Sequence, residues 1–134
     1  MDIVIDANVL FRILISQGDI IDIFTNSNLV LYAPERLQRE FMNHASEIRE
    51  KSSLSHKGYE ELTQFLFRHI HAVALEEYQS FLPKAKKMLG EHEKDIEFIA
   101  LCLLKKCKLW TYEKRLFKLG FGISTREIIE QLHY

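Results

Sequence analysis

Met1-Asp-Ile-Val-Ile-Asp-Ala-Asn-Val-Leu10 is the stretch whose reading decides the fold. Ile3, Val4 and Ile5 form an unbroken β-branched run. A half-exposed strand would alternate, so this one is covered on both faces and belongs in the middle of a sheet. Asp6 stands at its carboxyl end, followed by Ala7 and Asn8, and Val9 to Ile15 continues as a helix. In an open α/β sheet, ligands sit beyond the carboxyl ends of the strands, so a carboxylate there points at a site. A simpler role competes with this: Asp6 or Asn8 as the cap of the next helix. The remaining acids decide between the two.

Working outward, Ser16-Gln17-Gly18 ends the first helix and Asp19 to Phe24 reads as a short second one. Leu29 to Ala33 is a second apolar strand, with Pro34 read as the first residue of the following helix and Glu35 in its first turn. That helix places Leu37, Phe41, Ala45 and Ile48 on one core-facing stripe. Glu40 and His44 fall on the same stripe. A carboxylate there needs a partner, either Arg36 at the surface or a ligand in a cleft. A helix over Lys57 to Arg68, a third strand over His71 to Leu75 and a helix over Tyr78 to Leu89 follow, with Gly90 as C-cap. His69 and His71 lack a third zinc ligand nearby. Ile96 to Leu104 is apolar nearly all round, a buried helix with Asp95 at its start. Lys108 to Thr111 is a fourth strand, Glu113 leads into a short helix, Gly120 to Ile123 is a last small strand, and Ser124 or Thr125 caps a terminal helix.

The chain has 134 residues, 47% hydrophobic and 28% charged, the composition of a folded globular domain rather than a disordered segment. No linker, repeat or low-complexity tract interrupts residues 1–134, which favours one β/α domain. The longest apolar run, Phe98 to Leu104, falls far short of the roughly 20 residues of a membrane span. Asp2 and Asp6 interrupt any signal-peptide pattern, so a cytoplasmic location without membrane contact is expected. Cys102 and Cys107 stand in neither a metal nor a redox spacing and read as inert thiols. Net charge is −1, but Lys84 to Lys118 holds ten bases against five acids. Such a segment attracts phosphate, with Lys84, Lys86, Lys87, Lys114 and Arg115 as candidate contacts. Solvated helix faces would give the same composition.

Strands separated by helices imply right-handed crossovers and a mainly parallel sheet, with all carboxyl ends at one edge. Asp6, Glu40, Asp95 and Glu113 then meet in one cleft if the first strand is central with the fourth beside it. Four close carboxylates cannot all stay ionised without a cation. An all-oxygen set selects Mg²⁺ or Mn²⁺ over zinc or copper.

At this point the chain resembles the PIN domain family, the small nuclease fold of VapC-type toxins and many RNA-processing proteins. The matching stretches are Val4-Ile-Asp-Ala-Asn-Val-Leu10, Pro34-Glu-Arg-Leu-Gln-Arg-Glu40, Asp95-Ile-Glu-Phe-Ile-Ala-Leu101 and Leu109-Trp-Thr-Tyr-Glu-Lys-Arg-Leu-Phe117. The resemblance implies a parallel sheet of order 3-2-1-4-5 flanked by helices. It also implies an acidic quartet of Asp6, Glu40, Asp95 and Glu113, with Asn8 and Thr111 as polar helpers. Two departures stand out. Glu113 replaces the more usual aspartate, and His92 and Lys94 occupy places where relatives carry further aspartates.

The expected activity is metal-dependent hydrolysis of RNA, as the toxin of a VapBC-type pair with a small antitoxin protein as partner, or as a processing enzyme. Homodimers are common in the family. Tyr112 and Trp110 are candidates to stack on a base, Trp110 with the competing role of core residue. One alternative is a non-catalytic PIN module that binds RNA or a protein. A remoter one is a receiver-like phosphoacceptor, which would want an aspartate ending the third strand where Leu75-Glu-Glu-Tyr78 follows instead.

Overall fold

Five parallel strands run in the order β3-β2-β1-β4-β5: β1 (Asp2–Ile5), β2 (Val30–Pro34), β3 (Ile70–Val73), β4 (Lys108–Trp110) and β5 (Gly122–Ile123). This is the expected order, with β1 at the centre. The computed structural model describes residues 1–16, 19–90 and 93–133, so the expected helix stop at Gln17-Gly18 and the side chains of Glu91 and His92 lie outside the described residues. Ile3 pairs with Leu31 on one side and Ile5 with Trp110 on the other, and Ile3, Val4 and Ile5 are all buried. The unbroken apolar run is thus explained by cover on both faces.

The helices are α1 (Ala7–Ser16), α2 (Arg36–Asn43), α3 (Ala45–Lys51), α4 (His56–Arg68), α5 (Leu75–Tyr78), α6 (Leu82–Leu89), α7 (Ile96–Lys105), α8 (Lys114–Lys118) and α9 (Thr125–Leu132), with a longer 3₁₀ turn at Asp19–Thr25. The apolar α7 packs on β1, β2, β4 and α6, whereas α1 packs on α3 and α4. None of the described helices is long and apolar enough to cross a membrane.

Three expected elements differ in detail. Pro34 ends β2 instead of starting a helix. The Glu35 N–H donates to the Val73 carbonyl, so by strand alternation the Pro34 nitrogen faces the β1 side, beyond the last β1–β2 pair at Tyr32. The β1–β2 ladder ends before Pro34, and the end of a ladder is where a sheet tolerates a residue without an N–H. The helix carrying Leu37 to Ile48 is broken at His44, between α2 and α3. Asn43 and His44 are both weak helix formers, and the stripe still turns inward, with Leu37, Phe41 and Ile48 buried. The helix expected over Tyr78 to Leu89 is instead α5, a 3₁₀ turn at Gln79–Phe81, and α6 with Pro83 near its start. A continuous helix would drive the Pro83 ring into the carbonyl four residues earlier.

The ends of α7 and α9 carry two further results. Lys106 closes α7 in the left-handed conformation, φ 54°, and the Cys107 N–H donates to the Cys102 carbonyl at 3.2 Å. This helix ending brings the residue after the cap back over the last turn, so the two thiols, unrelated by sequence spacing, bond to each other. That bond, with burial, holds Cys102 well above the usual thiol range, and the same bond lowers Cys107 against the upward effect of its own burial. Ser124, not Thr125, caps α9. Its Oγ accepts from Glu127 N at 3.1 Å, while the Glu127 carboxylate accepts from Ser124 N at 3.2 Å.

Candidate active site

Asp6 leaves β1 at the edge where the strands end and is nearly fully buried. Its carboxylate accepts a 2.7 Å hydrogen bond from Thr111 Oγ1, across the β1–β4 boundary. The same hydroxyl accepts from Glu113 N at 3.1 Å and from Asn8 Nδ2 at 3.5 Å. Thr111 thereby fixes three groups at once: the Asp6 carboxylate, the backbone that delivers Glu113, and the amide of Asn8. Asp95, at the start of α7, completes the group. Carboxylate oxygens of Asp6, Asp95 and Glu113 all lie within 4.8 Å of one another.

Glu40 lies on the wall of the same cleft, a cavity of about 440 Å³ lined also by Asn8, Phe11, Arg36, Lys94 and Phe98. It stands outside the three-acid group, and its carboxylate meets Arg36 Nε at 3.5 Å. His44, by contrast, is exposed and pairs with Glu47 at 3.5 Å. A PIN domain profile matches residues 4–133, nearly the whole chain. The chain belongs to the PIN domain family. Comparison with curated proteins gives no match. PIN domains are generally metal-dependent nucleases that use divalent ions.

The electrostatics of this PIN domain suit such an ion. Burial raises Asp6 above its ordinary range, with the Thr111 bond opposing the rise. Burial, then the charges of Asp6 and Glu113, push Asp95 from its ordinary 3.8 up to about 7. Without a cation Asp95 is therefore protonated in about half of the molecules near neutrality. Asn8 adds a further sign, because its Oδ1 is buried with no partner among the described residues. A buried acceptor of this kind wants a donor, and a water on a hard cation is one. Three carboxylates and an amide oxygen are hard oxygen donors, the set that suits a divalent cation.

Two outcomes follow from this geometry. Because the ion must displace the Asp95 proton, its affinity should rise with pH through about 7, by about tenfold per unit below that value. Calorimetric Mn²⁺ titrations between pH 5.5 and 8 check this; a flat profile would contradict it. Thr111→Val should lower Mn²⁺ affinity about 10–100-fold, the usual effect of removing a group that orients a ligand, read by the same titration.

The phosphate-binding candidates are spread out. Lys84, Lys86 and Lys87 are exposed on α6 and Lys114 is exposed on α8. Arg115 is half-buried: its Nη2 donates to the Leu89 carbonyl at 2.7 Å, tying α8 to the end of α6, while its Nη1 has no partner among the described residues. Trp110 cannot stack on a base, since it is fully buried and its Nε1 donates to Thr125 Oγ1 at 2.9 Å. The Tyr112 ring is half-buried beneath the Arg12 guanidinium, 4.7 Å from its centroid.

Proposed function

We propose that the protein, acting as one PIN unit over residues 1–134, is a Mg²⁺- or Mn²⁺-dependent ribonuclease that cuts phosphodiester bonds within RNA. The observation that carries this reading is the Asp6, Asp95 and Glu113 group, with its oxygens within 4.8 Å, set where α/β sheets hold their ligands. When bound, the ion supplies Lewis-acid charge against the phosphate oxygens and acidifies water. Asp6 and Asp95 would hold the ion, with the Thr111 hydroxyl fixing the Asp6 carboxylate. Glu113, half-buried and reaching in on the longer side chain, is placed to take the proton of the attacking water. Asn8 orients through its Oδ1, which has no partner among the described residues, and Glu40 is the fourth acid on the cleft wall. Lys84, Lys86, Lys87 and Lys114 hold the strand outside the cleft, giving binding that weakens with salt. The proposal extends to a cytoplasmic VapC-like toxin with a small antitoxin protein as partner, and to self-association.

A second reading, a non-catalytic PIN module that binds RNA or a protein, is favoured by one observation. Glu40 is engaged with Arg36 rather than gathered with the other acids. The receiver-like reading gains nothing, because β3 ends at Val73 and is followed by Ala74, with no carboxylate there.

The test is single-turnover incubation of a mixed transfer and ribosomal RNA pool, with matched single-stranded DNA, in Mn²⁺, Mg²⁺ or EDTA. Metal-dependent cutting of RNA alone supports the ribonuclease. Retention of RNA without cutting in either metal would replace it with the binding module. The adjacent reading frame and the mass in solution check the antitoxin and the dimer.

A further inference from the structure

Around the three-acid group, the cleft wall carries two bases, Arg36 and Lys94. They differ in how they are held. Lys94 is exposed on a short 3₁₀ turn. Arg36, at the start of α2, has two carboxylate partners of unequal grip. Glu97 of α7, with a side chain only 19% exposed, pairs with Arg36 Nε through Oε2, and its Oε1 accepts from the Tyr78 hydroxyl at 3.2 Å. Tyr78 is itself buried. Glu40 meets the same Nε at 3.5 Å, with both side chains nearly half exposed at 46% and 45%. An exposed pair one helical turn apart is weak and readily exchanged. Glu40 is therefore the partner that can leave, and Glu97 the one that stays.

Chemistry gives that asymmetry a use. A nucleic-acid phosphate approaching four carboxylates meets repulsion that an ion relieves only at the inner acids, and Glu40 lies outside them. A guanidinium offers five N–H donors in a planar fork that matches two phosphate oxygens. Both Arg36 pairs close on Nε, so the two Nη groups, with four of the five donors, are the part able to meet a phosphate. We propose, resting on the nuclease reading of this cleft, that Arg36 grips a phosphate of the bound strand. In this arrangement the Tyr78–Glu97 pair stations it and Glu40 is the partner it gives up. Arg36 then touches substrate, whereas Glu97 and Tyr78 are positioning residues acting through it.

The test measures binding of a short fluorescent single-stranded RNA by anisotropy in Ca²⁺, as a function of KCl, for wild type, Arg36→Gln, Arg36→Lys and Glu97→Gln. Each phosphate contact to a single strand contributes about 0.7 to the slope of log affinity against log salt. Arg36→Gln should lose that increment and bind about tenfold more weakly, without any loss of calorimetric Mn²⁺ affinity. Arg36→Lys should keep the slope while losing affinity, because the charge stays and the fork is gone. Glu97→Gln should likewise keep the slope and weaken binding. If wild type shows the salt slope and Arg36→Gln shows the same slope with only a lower melting temperature, Arg36 is a structural ion pair and the proposal is overturned. If Arg36→Gln fails to fold, an undiminished RNA affinity in both Arg36→Lys and Glu97→Gln overturns it. Should wild type bind no RNA at any salt, the nuclease reading fails and this inference falls with it, an outcome distinct from the first two.

Discussion

Asp95→Asn is expected to abolish divalent-metal binding and cleavage while raising the melting temperature of the metal-free protein. A group that merely orients a metal ligand is worth about 10–100-fold, so removing a carboxylate from the cluster itself should exceed about 100-fold. The opposite sign on stability comes from the same charges. Burial and the neighbouring Asp6 and Glu113 raise Asp95 to about 7 from an ordinary 3.8. The folded state therefore binds more protons than the unfolded one between those values. The stability this proton confers is fully present below about 4 and is lost as pH rises through about 7. Asparagine keeps the shape without the charge. Its advantage over wild type should be small at pH 5 and largest at pH 8, by roughly 2–4 °C, on the scale of about 1 kcal/mol left to a half-exposed charge after solvent screening. Thermal melts in EDTA at both pH values, beside Mn²⁺ calorimetry, read the two signs. A variant less stable than wild type at pH 8 would show that Asp95 is held by attractive contacts, contrary to this account.

The second large effect is on the scaffold. Trp110→Ala should cost about 3–5 kcal/mol, the usual range for emptying a buried tryptophan site, against a total stability of about 5–15 kcal/mol for such domains. Trp110 is fully buried at the end of β4, 5.9 Å from the Phe24 ring, and its indole N–H closes on Thr125. Its carbonyl also accepts from Asp6 N at 3.0 Å. Loosening Trp110 thus loosens both sides of the Asp6–Thr111 contact. Urea unfolding should show the loss of stability, and Mn²⁺ affinity of the folded fraction should fall with it. Trp110→Phe separates the two contributions, since it keeps most of the apolar volume and drops only the bond to Thr125.

Much of this was legible in the chain because it rests on local chemistry. The Ile3-Val4-Ile5 run announced a central strand, and the apolar Ile96 to Leu104 stretch announced a buried helix. The order of the strands followed from the resemblance to PIN domains. What escaped has identifiable reasons. The break at His44 needs only two weak helix formers, which a strong apolar stripe outweighs on paper. The joint at Gln79–Phe81 is signalled by Pro83, whose ring reaches back over four residues, a range that helical periodicity does not register. In the cleft, the acids stood out because carboxylates near strand ends are unusual. Arg36 was visible only as a surface partner for Glu40, and its anchors Glu97 and Tyr78 were not seen, because that trio joins α2, α5 and α7. Contacts between elements far apart in sequence leave no periodic trace. The Cys102 and Cys107 thiols were missed for a different reason: the left-handed Lys106 between them folds the chain back, and no glycine marks the spot.

The parallel arrangement of the sheet has a further consequence, in time. Asp6 and Thr111, joined by the 2.7 Å bond at the heart of the cleft, lie 105 residues apart, and β1 has β4 as its neighbour on that side. On a ribosome adding about 5–20 residues per second, domains fold as their segments emerge. The Asp6 end of the chain therefore waits roughly 5–20 s for the strand that completes it. Through that interval the acid cluster does not exist, and a central strand with Ile3, Val4 and Ile5 stands open on one edge. The growing chain holds no complete metal-ligand cluster during its own synthesis, and depends on protection of that edge until β4 arrives.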